Sequence, residues 1–176
     1  MAPDPEVEYT RENFELHVQS LSKKEWDWTT FSTQSDIDKD MERAQVRMVG
    51  GSITGVHDEP GTVPAGSFTV SFMNVPPGNY VPSHGHPDAE EGFFILQGEG
   101  IGWWENPATG ERLETKLGVH DLIMSPPNVM HGLKNTGTEN LIVQVLIGAQ
   151  RPEKPYYTDD SLTAASQYVV HGQGGN

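Results

Sequence analysis

The sequence predicts an all-β domain, a sandwich or closed barrel of short strands. Apolar runs of strand length recur at short, even spacing from about residue 41 to residue 147. Turn residues separate them: 19 Gly and 13 Pro suit strands joined by tight turns better than a helical bundle. No internal repeat is present, so one site is expected rather than two. A chain of 176 residues is sized for a single domain that can bury a core without covalent staples.

The elements follow in chain order. Residues 1–9 read as a disordered lead. Thr10 is placed to cap a short helix with Glu12 in its first turn, and Phe14, Val18 and Leu21 share one helical face, with His17 beside them as a surface residue. Trp26 and Trp28 stand in an ordered loop or edge strand. Arg43–Val49 can extend, Gly50-Gly51 breaks the run, and Ser52–Val56 can continue it. Asp58–Gly66 is a loop by its Pro and Gly content. Ser67–Val75 is a strand in which Phe68, Val70 and Phe72 alternate with small or polar residues. After a Pro76-Pro77-Gly78 turn come Val81–His86, Glu91–Leu96, a hairpin of Ile101–Glu105 with Glu111–Leu117, then Leu122–Ser125, Val129–Lys134 and Leu141–Ile147. Residues 148–160 are expected to wrap the outside, a short helix to form near Ser161–Tyr168, and the Gly-rich end to be disordered.

Composition narrows the function. With 11 basic against 25 acidic residues and a net charge of −14, the chain is expected to repel nucleic acid and anionic membrane. It has no run of 18 apolar residues to span a bilayer, and its acidic N-terminus lacks the apolar core of a signal peptide, so a cytoplasmic location is expected. There is no cysteine, so a bound metal would have to use His, Asp, Glu or water.

Gly78–Gly100 carries the chemistry. His84 and His86 are two residues apart, which on an extended strand points both imidazoles to one face. An acidic pair, Glu90 and Glu91, follows, and such convergence is what a divalent metal needs. Far along the chain, His131 stands just after the Pro126-Pro127-Asn128 turn and shares a parity with Leu133 and Asn135. A strand pair that brought His131 against His84 and His86 would complete a set of three histidines and one carboxylate.

These two segments resemble the paired motifs of the cupin superfamily. In the first, Gly78, His84, His86, Glu91 and Gly98 meet every spacing; in the second, Pro126, His131 and Asn135 match. His120 and Asn128 stand where that second motif has glycine. Asn tolerates positive φ, whereas His120 puts the local backbone in question. With the short N-terminal helix and the peripheral C-terminal segment read from the residues themselves, the chain divides into an extension over 1–40 that packs on the barrel or a partner, one barrel over 41–150, and a C-terminal extension over 151–176. The resemblance accounts only for about residues 67–148, where it implies a double-stranded β-helix, a jelly-roll barrel. It implies one divalent metal per chain on His84, His86, Glu91 and His131. Glu91 is preferred over Glu90 for its distance from Gly98 and its parity with Phe93 and Ile95.

The resemblance favours Fe(II), with Mn, Co, Ni, Cu or Zn also compatible with nitrogen and oxygen ligands. Phe72, Phe93, Ile95 and Leu133 are expected to line an apolar pocket, and an inward Arg47 or Arg43 would clamp a substrate carboxylate. Tyr80 and His120 are candidate acids or bases. Trp103 and Trp104 are expected to pack against the N-terminal segment or a partner. The function implied is a metal-dependent dioxygenase that takes a small phenolic or other chelating organic substrate together with O2. The alternatives are a non-oxidative isomerase, lyase, decarboxylase or cyclase, and a binding module without catalysis. A homodimer is expected, with the segment around Trp26 and Trp28 as a docking strand.

Overall fold

A computed structural model of the chain describes residues 8–54 and 59–165. The expected lead over residues 1–7, the continuation to Val56 and everything after residue 165 lie outside the described residues. Among the described residues ten strands form: β1 Ala44–Val49, β2 Thr69–Val75, β3 Tyr80–Gly85, β4 Glu91–Gln97, β5 Gly100–Glu105, β6 Arg112–Leu117, β7 Leu122–Ser125, β8 Met130–Asn135, β9 Leu141–Ile147 and β10 Tyr156–Tyr157. They build two five-stranded sheets, ordered β1-β2-β9-β4-β7 and β10-β3-β8-β5-β6. Their strand pairs are antiparallel, and strands distant in sequence become neighbours, as in a jelly roll.

Strand alternation decides what lies between the sheets. In β9, Leu141, Val143, Val145 and Ile147 are buried while the intervening residues are half-exposed. Val75, Val81, Phe93, Ile95 and Leu133 join them in one core. Full burial of such a side chain contributes roughly 1.5–3 kcal/mol.

Turn backbones hold the strands in place. Gly98, between β4 and β5, has φ +80°, and a Cβ there would stand 3.0 Å from the Asn140 carbonyl oxygen. His120 and Asn128 also take positive φ, 75° and 65°. The two departures from the expected glycines therefore keep the backbone that glycine would adopt.

The described segments that flank the strands on either side, residues 8–43 and 148–165, return to the barrel. Thr10 caps helix α1, Arg11–Leu16, by accepting from the Asn13 amide, but Phe14 and Val18 of the expected apolar face are exposed. Asp27 bridges Gln45 of this chain's own β1, which places the stretch between Trp26 and Trp28 along the edge of the first sheet. A single turn, α2 (Ser32–Ser35), follows Phe31, which enters the core. Ser52–Thr54 forms a tight helical turn rather than a strand. The stretch after residue 148 does more than wrap the outside, since β10 adds to β3 with Tyr157 opposite His84. Helix α3, Asp160–Ala165, packs Leu162 against Met41, Tyr157 and Tyr80.

Candidate metal centre

Three imidazoles meet at one carboxylate oxygen. Glu91 Oε2 lies 3.0 Å from His84 Nε2, 3.3 Å from His86 Nε2 and 2.7 Å from His131 Nε2. All four side chains are buried. His84, His86 and Glu91 offer ligand atoms mutually within 4.8 Å, and His131 reaches the same carboxylate from the facing strand β8. Glu91 opens β4 pointing inward, while Glu90 is exposed.

Local backbone explains the convergence. The register of β3 against β8 slips between Val81 and His84. Strict alternation would put positions 81 and 84 on opposite faces, yet both face the interior. Pro82, which has no N–H to give a ladder, sits inside that bulge, and its carbonyl faces His84 Nδ1 at 2.8 Å. His131 Nδ1 likewise faces the Val129 carbonyl at 2.9 Å. A second set of contacts braces the bulge from behind. Trp103 Nε1 donates to Ser83 Oγ at 2.8 Å, and Ser83 donates to Glu105 at 2.6 Å.

Proton counting shows what these imidazoles can hold. His84 and His131 each face two acceptors, a backbone carbonyl at Nδ1 and Glu91 at Nε2, whereas a neutral imidazole has one N–H. Burial, reinforced by the charge of His131, drives His84 down to about 4, so it stays neutral at pH 7. If its proton sits on Nδ1, a bare lone pair faces the carboxylate. Buried His86 aims Nε2 at the same carboxylate oxygen from 3.3 Å, too poorly aligned for a good hydrogen bond. A cation between the lone pairs would satisfy all of them, and carbonyl-bound Nδ1–H is the usual way to fix an imidazole ligand. Ligands about 2.1 Å from a metal stand about 3.0 Å apart at octahedral angles. The distances from Glu91 to the three histidines cluster around that value. With no cation and the protons on Nε2 instead, burial acts to raise the Glu91 carboxyl, but the charge of His86 and the hydrogen bonds from His131 and His84 hold it well below the usual carboxylate range. The residues present therefore fit a divalent ion.

Beside the ligands lies a small cavity of about 20 Å³. Phe93, Val81 and Met73 make part of its apolar wall, and Arg43, Gln45 and Tyr157 supply polar groups. Several expected site residues lie elsewhere. Ile95 and Leu133 are core residues that do not line the cavity. Phe72 faces the other side of β2, because the inward parity is carried by Thr69, Ser71, Met73 and Val75. Arg47 is ion-paired with Asp27 at 3.3 Å and Glu59 at 2.5 Å, away from the cavity wall. The Tyr80 hydroxyl donates to Asp38 at 2.8 Å, and its ring packs toward Met41 and Leu162. His120 is exposed on its turn, stacked on Phe94 with ring centroids 6.3 Å apart. Neither Tyr80 nor His120 stands beside the imidazoles. Phe31 and Tyr157, which do line the cavity, have no local motif in the sequence.

The strand order, the converging side chains and the family match agree. Residues 71–147 match the family described as the cupin domain. This stretch of the chain is a cupin domain. No functionally curated protein matches it in sequence. Solved structures share the cupin fold at low identity. Peruvianin-I, a cysteine peptidase from Thevetia peruviana latex, is 18% identical over 78% of this chain and 75% of its own, with a TM-score of 0.58. A cupin 2 domain-containing protein from Halorhodospira halophila is 18% identical over 70% of this chain and 75% of its own, at 0.53. A recombinant oxalate oxidase in complex with glycolate is 17% identical over 65% of this chain at 0.51, and the match spans 54% of that protein. A peptidase and an oxidase on one fold show that the cupin barrel alone does not carry an activity. No helix among the described residues is long and apolar enough to cross a membrane.

Proposed function

We propose that this cupin is a metal-dependent enzyme, in the first reading an Fe(II) dioxygenase acting on a small phenolic or other chelating organic substrate. The observation that carries the metal reading is the convergence of three Nε2 atoms on Glu91 Oε2 in a buried site. His84, His86, Glu91 and His131 would hold the ion. Bound there, a divalent metal supplies Lewis acidity and, as iron, access to O2 chemistry. The chain's own part is to exclude water and orient the substrate. Met73, Val81, Phe93 and Val145 keep the cavity largely apolar.

One observation favours a second reading, non-oxidative proton-transfer chemistry of the isomerase, lyase, decarboxylase or cyclase type. Tyr157 brings a phenol to the cavity wall, its ring centroid 5.9 Å from that of His84. A phenol there is a candidate acid or base for a substrate bound at the ligands. Metal analysis of the purified protein, then O2 uptake by the iron-loaded form with catechols, hydroxyketones and β-diketones, separates the two. Uptake with one substrate class supports the dioxygenase. Bound zinc or nickel and no uptake with any class sinks it.

A further inference from the structure

The cavity has a wall that the family match does not contain. Phe31, Arg43 and Gln45 precede the matched residues 71–147, and Tyr157 follows them. Arg43 is only 2% exposed, although the chain's charge is −14 and its cations are few. Taking a guanidinium out of water costs several kcal/mol unless its partners compensate. Here it donates to the Met41 carbonyl at 2.8 Å and to Gln34 Oε1 at 2.7 Å, and lies over the Phe31 ring, 3.7 Å from the centroid. The Gln34 amide is fixed from its other end, because its Nε2 donates to the Tyr157 hydroxyl at 2.7 Å. Arg43, Gln34 and Tyr157 thus form one chain of contacts from the N-terminal segment to β10. Two of its members, Arg43 and Tyr157, line the same cavity as Glu91 and His84.

We propose that Arg43 is the anchor for a negatively charged group, and that the substrate of this cupin is a small carboxylate. The inference rests on the metal reading of the neighbouring ligands. The anionic surface would repel such a substrate, so recognition must come from a cation inside, where the low dielectric strengthens its field. A planar guanidinium fork matches a planar carboxylate, which favours that anion over a bulkier tetrahedral one. A cavity of about 20 Å³ holds little more than a water, so formate is the probe that demands the least opening.

Calorimetric titration of formate into the full zinc-loaded chain tests this, with formamide as the neutral counterpart and metal content measured on the same samples. Formate should bind and formamide should not. Arg43→Met should weaken formate at least tenfold. Because removing a buried guanidinium can unfold the chain, Gln34→Glu is the second variant. It keeps the side chain's shape, sets a carboxylate against Arg43, and should weaken formate as much while metal content stays at wild-type stoichiometry. A metal-loaded Gln34→Glu protein that binds formate as tightly as wild type overturns the proposal, as does binding of formamide equal to formate. If wild type retains no zinc, the metal reading fails separately. Formate titrated into the metal-free chain then decides: Arg43-dependent binding upholds the anchor, and no binding overturns it.

Discussion

His131 Nε2 stands 2.7 Å from Glu91 Oε2, although 40 residues separate them in the chain. β8 and β4 lie in different sheets, so this contact crosses the barrel interior and ties the two layers together at the candidate site. Glu91→Gln keeps the volume and removes the charge that balances a cation. Metal retention should fall at least tenfold, and His84→Ala should abolish it. At a hundred times its Kd, a metal adds about 2.7 kcal/mol to stability. That corresponds to a rise in Tm of about 5–10 °C for a domain of this size. Elemental analysis and melts with and without a chelator check both, and a His84→Ala protein holding full metal would show the ligand set to be wrong.

Asp27 predicts the acid behaviour of the N-terminal segment. Its partial burial acts to raise the carboxyl, but hydrogen bonds from Thr29 and Thr30 and the charge of Arg47 outweigh that and bring it down to about 2. The folded value lies below the unfolded one, so the stabilisation is present above about pH 4 and is lost as the pH falls toward about 2. Wild type should be more stable than Asp27→Asn at pH 6, with the gap closing between those limits. Urea melts at pH 6, 4 and 2.5 measure it, and a gap independent of pH would mean that the carboxylate charge is not what matters.

The convergence of His84, His86, Glu91 and His131 was readable because its determinants are short-range. His84, His86 and Glu91 lie in one strand–turn–strand unit, and His131 has its own turn signature. Phe72 was not readable, because β2 turns its more polar parity, Thr69 and Ser71, toward the interior, where Ser71 accepts from buried Gln45 at 3.0 Å. Hydrophobic alternation therefore pointed the wrong way. The bulge at Pro82 was equally hidden, since a period of two gives no warning of a slipped register. Phe31, Gln34 and Tyr157 reach the site region by packing of the two chain ends, for which no local pattern exists. Arg43 carried a faint signal, a cation directly before a buried strand in an acidic chain.

Gly132 follows His131 in β8, opposite Trp103 of β5. A Cβ there would stand 2.4 Å from the Trp103 ring and 2.7 Å from the Val81 carbonyl oxygen. The second contact is backbone, so the clash cannot be relieved by rotating one side chain. Gly132→Ala should cost roughly 3 kcal/mol, the upper part of the usual overpacking range. By displacing β8 from β3, it should also loosen His131. Denaturant melts and metal stoichiometry check it, and a Gly132→Ala protein of wild-type stability would mean that these strands are not held this closely.

His120 has φ 75° on the turn between β6 and β7, and its amide donates to the Ile95 carbonyl at 2.9 Å, which fixes the backbone in that conformation. A residue with a Cβ held there costs roughly 1–2 kcal/mol relative to glycine. Glycine gives back about 0.4–1 kcal/mol through the entropy of the unfolded chain. His120→Gly should therefore stabilise by about 0.5–1 kcal/mol, raising Tm by about 1–4 °C. The gain is reduced by whatever the stacking on Phe94 contributes. Because His120 is exposed and absent from the cavity wall, metal content should not change. Asn128→Gly is the control, since Asn accepts positive φ more readily and its side chain reaches the Pro87 carbonyl at 3.4 Å; it should gain less. If His120→Gly instead lost metal or stability, the imidazole would be serving the site from its turn and not merely occupying a glycine position.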